Sequence, residues 1–257
     1  MAAGHPAALD TLRQAIRTDH GFTEEASLPL GVKTIDATLG GGLALGALHE
    51  IAPEQPIHLA AAYGFSLSLA ARAAGRLRTT LLIQPDFAGL EGGRLYGAGL
   101  ELFGLSMARL LILRVGHPRD ALFAMEEALK CRALSCVIAE LTDDAPAADL
   151  TATRRLSLAA REGGALALLV RHRICKISSA AATRWTIAAA SGPRDNFGGL
   201  GQTAFLMTLT KNRRGPCGRW TLTWNHHDGM LTDAAHPVSL AAAITGRPDR
   251  TAYASSR

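Results

Sequence analysis

The hydrophobic residues of this chain fall into short continuous runs that are separated by stretches with helical periodicity. A strand that is buried on both faces of a sheet has such a run, whereas a half-exposed strand alternates between apolar and polar residues. The runs therefore predict a parallel sheet with helices on both faces. The predicted strands are 47–51, 79–83, 109–115, 134–141 and 165–170, and the main predicted helices are 59–76, 118–132 and 152–162.

The pattern changes after residue 182. The segments 183–189, 203–211 and 219–225 alternate more and are joined by short turns, which predicts an antiparallel extension of the sheet. An amphipathic helix is predicted near the N-terminus, at 6–18. We therefore expect an N-terminal helix and linker over 1–27, an α/β core over 28–225 and a partly disordered C-terminal tail over 226–257.

The stretch from Leu39 to Arg72 combines a glycine turn, a short strand, a loop and a long helix. In nucleotide-binding α/β domains, this order places a phosphate-binding loop between the strand and the helix. Such a loop needs glycines whose N–H groups surround the phosphates, a lysine, and a hydroxyl group for Mg²⁺. The loop at 52–60 lacks them at the expected places, because Pro56 has no N–H group and His58 stands where the lysine would be. We therefore expect no cofactor, no metal and no productive ATP binding, while weak nucleotide binding without hydrolysis stays open.

Two carboxylates are predicted at the C-terminal ends of strands, where the sites of open parallel sheets collect. Asp86 follows the strand at 79–83, and Glu140 lies at the end of the strand at 134–141. Without phosphate and Mg²⁺ to bind, they are expected to cap a helix or to pair with an arginine, and no catalytic residue is predicted. The degenerate nucleotide site is predicted to comprise Pro53, Glu54, His58, Asp86 and Glu140.

Charge is distributed unevenly along the chain, whose formal net charge is +5. Residues 151–224 hold twelve Lys and Arg residues against two acidic ones, whereas the first 150 residues are net acidic. This asymmetry fits an anionic partner, above all nucleic acid, and it fits a solvated basic face equally well. The candidate DNA- or partner-binding residues are Arg154, Arg155, Arg171, Arg173, Lys176, Arg184, Phe197, Lys211, Arg213 and Arg214.

The N-terminal region does not have the pattern of a signal peptide, and no apolar run is long enough to span a bilayer. A cytoplasmic location without a membrane partner is therefore expected. The four cysteines form no CxxC pair and are expected to be reduced thiols.

The order of these features resembles the RecA-like ATPase fold. The segment 35–43, together with Gly46 and Glu50, is similar to the entry of RecA into its phosphate-loop strand. Asp86 occupies the place of the water-activating carboxylate, and Glu140 that of the Walker B acid. The resemblance implies an α/β, RecA-like three-layer domain with a mainly parallel sheet extended by antiparallel strands. It also implies assemblies in which an N-terminal helix and strand pack on the core of a neighbouring protomer.

More specifically, the chain resembles the ImuA family (inducible mutagenesis protein A) over about 28–225. The motifs that carry this resemblance are LGGGL at 39–43, GALHEI at 46–51, GRLYG at 93–97, MEEALKC at 125–131, LTATRRL at 150–156 and SAAATRW at 179–185. The family implies a role in the SOS DNA-damage response and SOS mutagenesis. It acts beside an ImuB-type Y-family polymerase-like protein and an error-prone replicative-type polymerase in translesion synthesis. RecA and single-stranded DNA are further candidate partners.

Three functions remain open at this point. The first is a non-catalytic adaptor that docks these partners on a RecA-like core without a working ATP site. The second is a nucleotide-dependent, recombinase-like DNA-binding ATPase with an unusual loop. The third, a cell-division inhibitor, is supported only by shared fold ancestry.

Overall fold

The structure, a computed structural model, describes residues 26–74, 78–86, 95–141, 148–192 and 201–234. The predicted helix at 6–18, the loop that contains Phe197 and most of the predicted C-terminal tail lie outside these residues. The boundaries predicted at residues 27 and 225 are not tested as domain limits.

The described residues form eleven strands and five α-helices. The strands are β1 (Ser27–Leu28), β2 (Leu43–Ala44), β3 (Leu48–Pro53), β4 (Thr79–Pro85), β5 (Leu110–Val115), β6 (Leu134–Leu141), β7 (Leu166–Arg171), β8 (Thr183–Ala190), β9 (Thr203–Asn212), β10 (Gly218–Asn225) and β11 (Met230–Asp233). The helices are α1 (Lys33–Thr38), α2 (Leu59–Ala74), α3 (Gly97–Leu102), α4 (Pro118–Leu129) and α5 (Leu150–Gly163), with 3₁₀ turns at Pro56–His58 and Met107–Arg109.

In the described part of the chain, nine strands form one sheet in the order β11-β10-β9-β8-β3-β7-β6-β4-β5. Six neighbouring strands of this sheet, β8, β3, β7, β6, β4 and β5, are parallel. The strands β9, β10 and β11 continue the sheet antiparallel. This confirms the predicted parallel sheet with an antiparallel extension. One detail differs: the segment predicted at 183–189 pairs parallel to β3, and the antiparallel part begins only at β9.

Helices cover both faces of the parallel strands. On one face, Phe65 and Leu69 of α2 pack in a cluster with Ile51 of β3 and Trp185 of β8. On the other face, Met125 of α4 and Leu156 of α5 pack with Leu48 and Leu169. Because side chains alternate along a strand, β3 contributes Leu48 to one core and Ile51 to the other. The three layers match the predicted architecture.

The glycine turn before β3 has the predicted form. α1 is followed by Gly40, Gly41 and Gly42, which all have positive φ. At Gly42 a Cβ would lie 2.4 Å from the carbonyl oxygen of Leu28, because β1 pairs with β2 there. Only glycine satisfies both the backbone angle and the close approach.

α5 covers the predicted helix at 152–162 and has a defined cap at each end. The Asp149 carboxylate accepts a hydrogen bond from the N–H group of Ala152 over 2.8 Å, as an N-cap does. Gly164 adopts the left-handed conformation after the last helical residue. These two residues fix where the helix begins and ends.

The strand at 109–115 was predicted to be buried, and this prediction is wrong. β5 is the last strand of the sheet in the described residues, and it has a strand neighbour on one side only. Leu111, Ile112 and Leu113 are 55%, 41% and 40% exposed, so both faces of the strand are open. A continuous apolar run does not by itself distinguish a central strand from an edge strand.

The sheet also extends beyond residue 225. β11 pairs antiparallel with β10, and Leu231 is buried in the same core as α2. Residues Met230–Asp233 of the predicted tail therefore extend the sheet of the α/β core.

Candidate functional site

The loop at 54–59 lies between β3 and α2, at the position that a phosphate-binding loop occupies in nucleotide-binding α/β domains. Its residues form a bend and a 3₁₀ turn rather than an open cradle. Pro53 ends β3 and is buried. Glu54 is exposed, and one of its carboxylate oxygens lies 3.9 Å from Nη2 of Arg219.

Most N–H groups of this loop already have acceptors. Glu54 N–H donates to the Ile187 carbonyl over 2.8 Å, and His58 N–H donates to the Gln55 carbonyl over 2.8 Å. Leu59 N–H donates to the Pro56 carbonyl, and Pro56 has no N–H group. Because a phosphate-binding loop directs several free N–H groups at its ligand, this loop offers a poor site for phosphate.

His58 does not replace the missing lysine. Its Nδ1 accepts a hydrogen bond from the N–H group of Ala189 over 3.3 Å, which holds the ring against the end of β8. The neighbouring Ile57 is 82% exposed and contributes no polar side chain. The loop thus contains neither a fixed positive charge nor a hydroxyl group for a metal-bound phosphate.

Glu140 lies in a buried polar cluster at the C-terminal ends of β4, β6 and β7. Oε2 of Glu140 accepts from Nε2 of Gln84 over 3.1 Å, and Oε1 lies 2.5 Å from Nε2 of His172. Burial and the nearby Glu140 carboxylate raise the pKa of Tyr63 on α2 well above its ordinary value, so the phenol stays protonated. Glu140 therefore pairs with a histidine and an amide rather than with the expected arginine. Asp86 directly follows β4 and is exposed.

Two comparisons with known proteins decide the family. The chain is 31% identical over 246 residues to Protein ImuA of Caulobacter vibrioides strain NA1000 / CB15N, and this match covers 86% of the chain and 94% of the relative. Protein ImuA of strain ATCC 19089 / CIP 103742 / CB 15 matches to the same extent. The chain belongs to the ImuA family. No protein-family model matches it.

A solved structure supports the fold of this ImuA-family protein. The crystal structure of the RadB recombinase superposes with a TM-score of 0.52 and 14% identity, over 80% of the chain and 99% of RadB. This superposition confirms the predicted RecA-like fold class. In the described part of the ImuA-family chain, no helix is long and apolar enough to cross a membrane.

Two of the candidate basic residues are held inside the ImuA-family domain. Nη2 of Arg171 lies 3.0 Å from Oε1 of Glu50, and Nε of Arg184 lies 2.5 Å from Oε2 of the same carboxylate. Arg184 also donates to the carbonyl groups of Cys175 and Ile177. Arg184 therefore fixes the segment after β7 to the centre of the sheet, whereas Arg171 donates to the Ala148 carbonyl just before α5.

Other candidate residues lie at the surface around this segment. Arg173 and Lys176 are exposed, and so is Arg213 in the turn between β9 and β10. The turn contacts the segment directly, because Arg213 N–H donates to the Ala182 carbonyl and Lys211 donates to the Ser179 carbonyl. Three exposed positive charges are thus placed on two adjoining loops.

The remaining candidates are distributed differently. Arg154 and Arg155 are both exposed on α5, and Arg155 makes a two-point contact with Glu126 of α4, at 2.6 Å and 3.2 Å. Arg214 is half-buried, and its N–H group donates to the Asn212 side chain. Phe197 lies outside the described residues. Nucleic-acid contact by any of these residues stays a prediction.

Glu50 was not among the predicted site residues, although it organises Arg171 and Arg184. It is 3% exposed and lies in the middle of β3, where every residue is buried. A charged residue within an apolar strand is itself a signal, because buried charges need partners. The partners could not be found from the sequence, because they lie 121 and 134 positions later in the chain.

Proposed function

We propose that this ImuA-family protein is a non-catalytic adaptor in the SOS DNA-damage response. It supports error-prone translesion DNA synthesis in the cytoplasm by binding an ImuB-type Y-family polymerase-like protein. The observation that carries the proposal is the loop at 54–59, whose N–H groups are mostly engaged and whose side chains include no lysine and no hydroxyl group. A RecA-like domain with such a loop retains its docking surfaces but lacks the means to hold a triphosphate.

The edge strand β5 is the surface that best fits a protein partner. In the described residues, one side of its backbone has no strand neighbour, and its leucine and isoleucine side chains are exposed on both faces. A partner segment in extended conformation would pair with this backbone and cover these side chains. RecA-like assemblies place a strand and helix of one protomer on the core of the next, and here the polymerase-like partner would supply the strand.

Single-stranded DNA would bind beside the exposed Arg173, Lys176 and Arg213. These positive charges lie on adjoining loops, where they could contact successive phosphates. RecA and an error-prone replicative-type polymerase are further partners in this proposal, and they would meet the protein on the same DNA.

Binding to the polymerase-like partner tests the role of β5. We expect the double variant Leu111→Lys and Leu113→Lys to lose at least about tenfold in affinity, because it puts two charges into an apolar contact. Leu158→Lys on α5 is the matched control, since Leu158 is 67% exposed and lies on another element. Equal binding by both variants, with intact circular dichroism spectra, would remove β5 from the proposal.

ATP turnover tests the adaptor role itself. We expect no hydrolysis above background, with or without single-stranded DNA, from the wild-type chain and from Glu140→Gln. DNA-stimulated hydrolysis that Glu140→Gln abolishes would instead establish the ATPase alternative.

Binding of single-stranded DNA is measured by fluorescence anisotropy over a series of salt concentrations. The double variant Arg173→Glu and Arg213→Glu should bind more weakly and with a shallower salt dependence, because fewer counterions are released. Arg119→Glu, which changes an exposed residue of α4, is the control. Unchanged affinity and slope in the double variant would argue against DNA contact by these loops.

A further inference from the structure

Four neighbouring strands bring a carboxylate and three cationic side chains together. Glu50 on β3 is the register partner of Arg184 on β8, which in turn is the register partner of Lys211 on β9. Arg171 ends β7 on the other side of β3 and reaches the same carboxylate. Glu50 alternates with Ile51, so this group lies on the face of the sheet away from α2.

These residues surround a cavity of about 290 Å³. Its polar lining comes from the charged group and from Thr186 and Thr210, and its apolar side chains are Ala52 and Ile174. Ile174 is 50% exposed, so the cavity reaches solvent. The cavity thus has a cationic end and apolar walls.

The cationic end has more positive charge than its surroundings neutralise. Glu50 is the only acidic residue among the described ones that line the cavity, and each of its oxygens already accepts from one arginine. Nε of Arg171 is buried and has no hydrogen-bond partner in the described structure. An anion at this position would satisfy a donor that is otherwise costly to bury.

Lys211 also has a positive charge that its surroundings do not neutralise. Its ammonium group donates to the Ser179 carbonyl over 2.7 Å, which does not neutralise its charge. Burial, followed by the nearby Arg213 and Arg184, lowers the pKa of Lys211. A ligand carboxylate beside Lys211 would oppose both effects, because an opposite charge favours the charged form.

We propose that this cavity binds a carboxylate that is joined to an apolar group. The carboxylate would take donors from Arg171 and Lys211, and the apolar group would lie against Ala52 and Ile174. Phosphate fits less well, because it exposes oxygens in all directions and the apolar walls offer them no donors. The volume also exceeds what a lone oxyanion would fill. This site is separate from β5 and goes beyond the proposed adaptor role.

Two sources could supply this chemistry, namely the C-terminal residue of a polypeptide and a small aliphatic acid. N-acetyl-leucine represents the first and 4-methylpentanoate the second, since both have the same branched side chain beside a carboxylate. Tighter binding of N-acetyl-leucine would identify the polypeptide terminus as the source, and tighter binding of 4-methylpentanoate would identify the free acid. Either result supports the proposal.

The test is isothermal titration calorimetry of the full chain at constant ionic strength. N-acetyl-leucine should bind at least about tenfold more tightly than N-acetyl-leucinamide, because the amide lacks the negative charge that the cationic end would bind. Lys211→Gln should reduce the affinity about tenfold. Lys130→Gln, which removes the same charge from an exposed pair on another element, should leave the affinity unchanged.

Ile174→Glu gives a second variant at an exposed position, so misfolding is not a concern. Its carboxylate would repel the ligand at the mouth of the cavity and should also reduce the affinity at least about tenfold. Three results would overturn the proposal: no binding of either carboxylate, equal binding of inorganic phosphate, or unchanged affinity in both Lys211→Gln and Ile174→Glu. None of these results depends on whether the polymerase-like partner binds β5.

Discussion

The Thr183 hydroxyl donates a hydrogen bond to Nδ1 of His49 over 2.7 Å, inside the sheet. The direction follows from the other ring nitrogen. Nε2 lies 2.9 Å from the Ala44 carbonyl, which can only accept, so Nε2 carries the hydrogen of a neutral ring. The same hydroxyl accepts from Nε1 of Trp185 over 2.8 Å. Every polar atom of this buried group is therefore satisfied, provided that His49 stays neutral.

Stability should fall in mild acid because of His49. Burial, and to a smaller extent Arg214, lowers the pKa of His49 from 6.5 to about 4. Between these values, the unfolded chain binds a proton that the folded chain excludes, so the free energy of unfolding decreases as the pH falls from about 6.5 to about 4. The loss attributable to His49 is about 3 kcal/mol. Urea unfolding, followed by tryptophan fluorescence across this pH range, measures it.

His49→Gln provides the control for this pH dependence. A glutamine side chain can donate to the Ala44 carbonyl and accept from Thr183, but it does not titrate. The variant should therefore show a shallower loss of stability in acid than the wild type. Identical slopes would show that other groups are responsible.

Thr183→Val should destabilise the protein by about 1–3 kcal/mol, because it leaves Nδ1 of His49 and Nε1 of Trp185 buried without partners. Thr221→Val makes the same chemical change at a half-buried position on β10, away from this buried group, and it should have little effect. Chemical unfolding at neutral pH compares the two. A similar small change in both variants would contradict the importance of the hydroxyl.

Glu50→Gln should be strongly destabilising, by about 3–5 kcal/mol, because it leaves two guanidinium groups near the centre of the sheet without a counter-charge. Glu127→Gln removes an exposed ion pair with Lys130 and should be close to neutral. Adding Arg171→Met to Glu50→Gln should restore part of the loss, since it removes the more buried cation. Thermal unfolding of these variants measures the effect. Equal midpoints for Glu50→Gln and Glu127→Gln would show that the Glu50 carboxylate does not stabilise the fold.

Gly163→Ala should destabilise the contact between α4 and α5. A Cβ at Gly163 would lie 1.9 Å from the carbonyl oxygen of Leu129, so the two helices would have to move apart, at a cost of about 1–3 kcal/mol. Gly116 is exposed, and a Cβ added there would meet no atom of the described residues within 4 Å, which makes Gly116→Ala the matched control. Chemical unfolding should separate the two substitutions clearly, and equal stability would mean that the helices accommodate the methyl group.

Local features of this fold were predictable from the sequence, because their causes lie close together in the chain. The cap of α5 at Asp149, its left-handed end at Gly164 and the turn at Gly40–Gly42 all depend on neighbouring residues. The central strands were also predictable, since full burial leaves a continuous apolar run.

Features that depend on strand order were not predictable in the same way. The apolar run of β5 has the composition of a central strand, yet β5 lies at the edge of the sheet that the described residues form. The ion pairs of Glu50 join residues that are more than a hundred positions apart. The sequence alone shows that the loop at 54–59 has no glycine, no lysine and no hydroxyl group. The hydrogen bonds of its N–H groups could be found only from the coordinates.

The exposed edge of β5 also has a consequence for the solubility of the protein. An apolar strand whose edge is unpaired in the described residues readily joins other exposed strands, so a chain produced in excess of the proposed partner would aggregate. The amount of soluble protein in a cell would then follow the amount of partner rather than its own rate of synthesis. Expression of the two proteins together should accordingly yield soluble material at levels that the single chain does not reach.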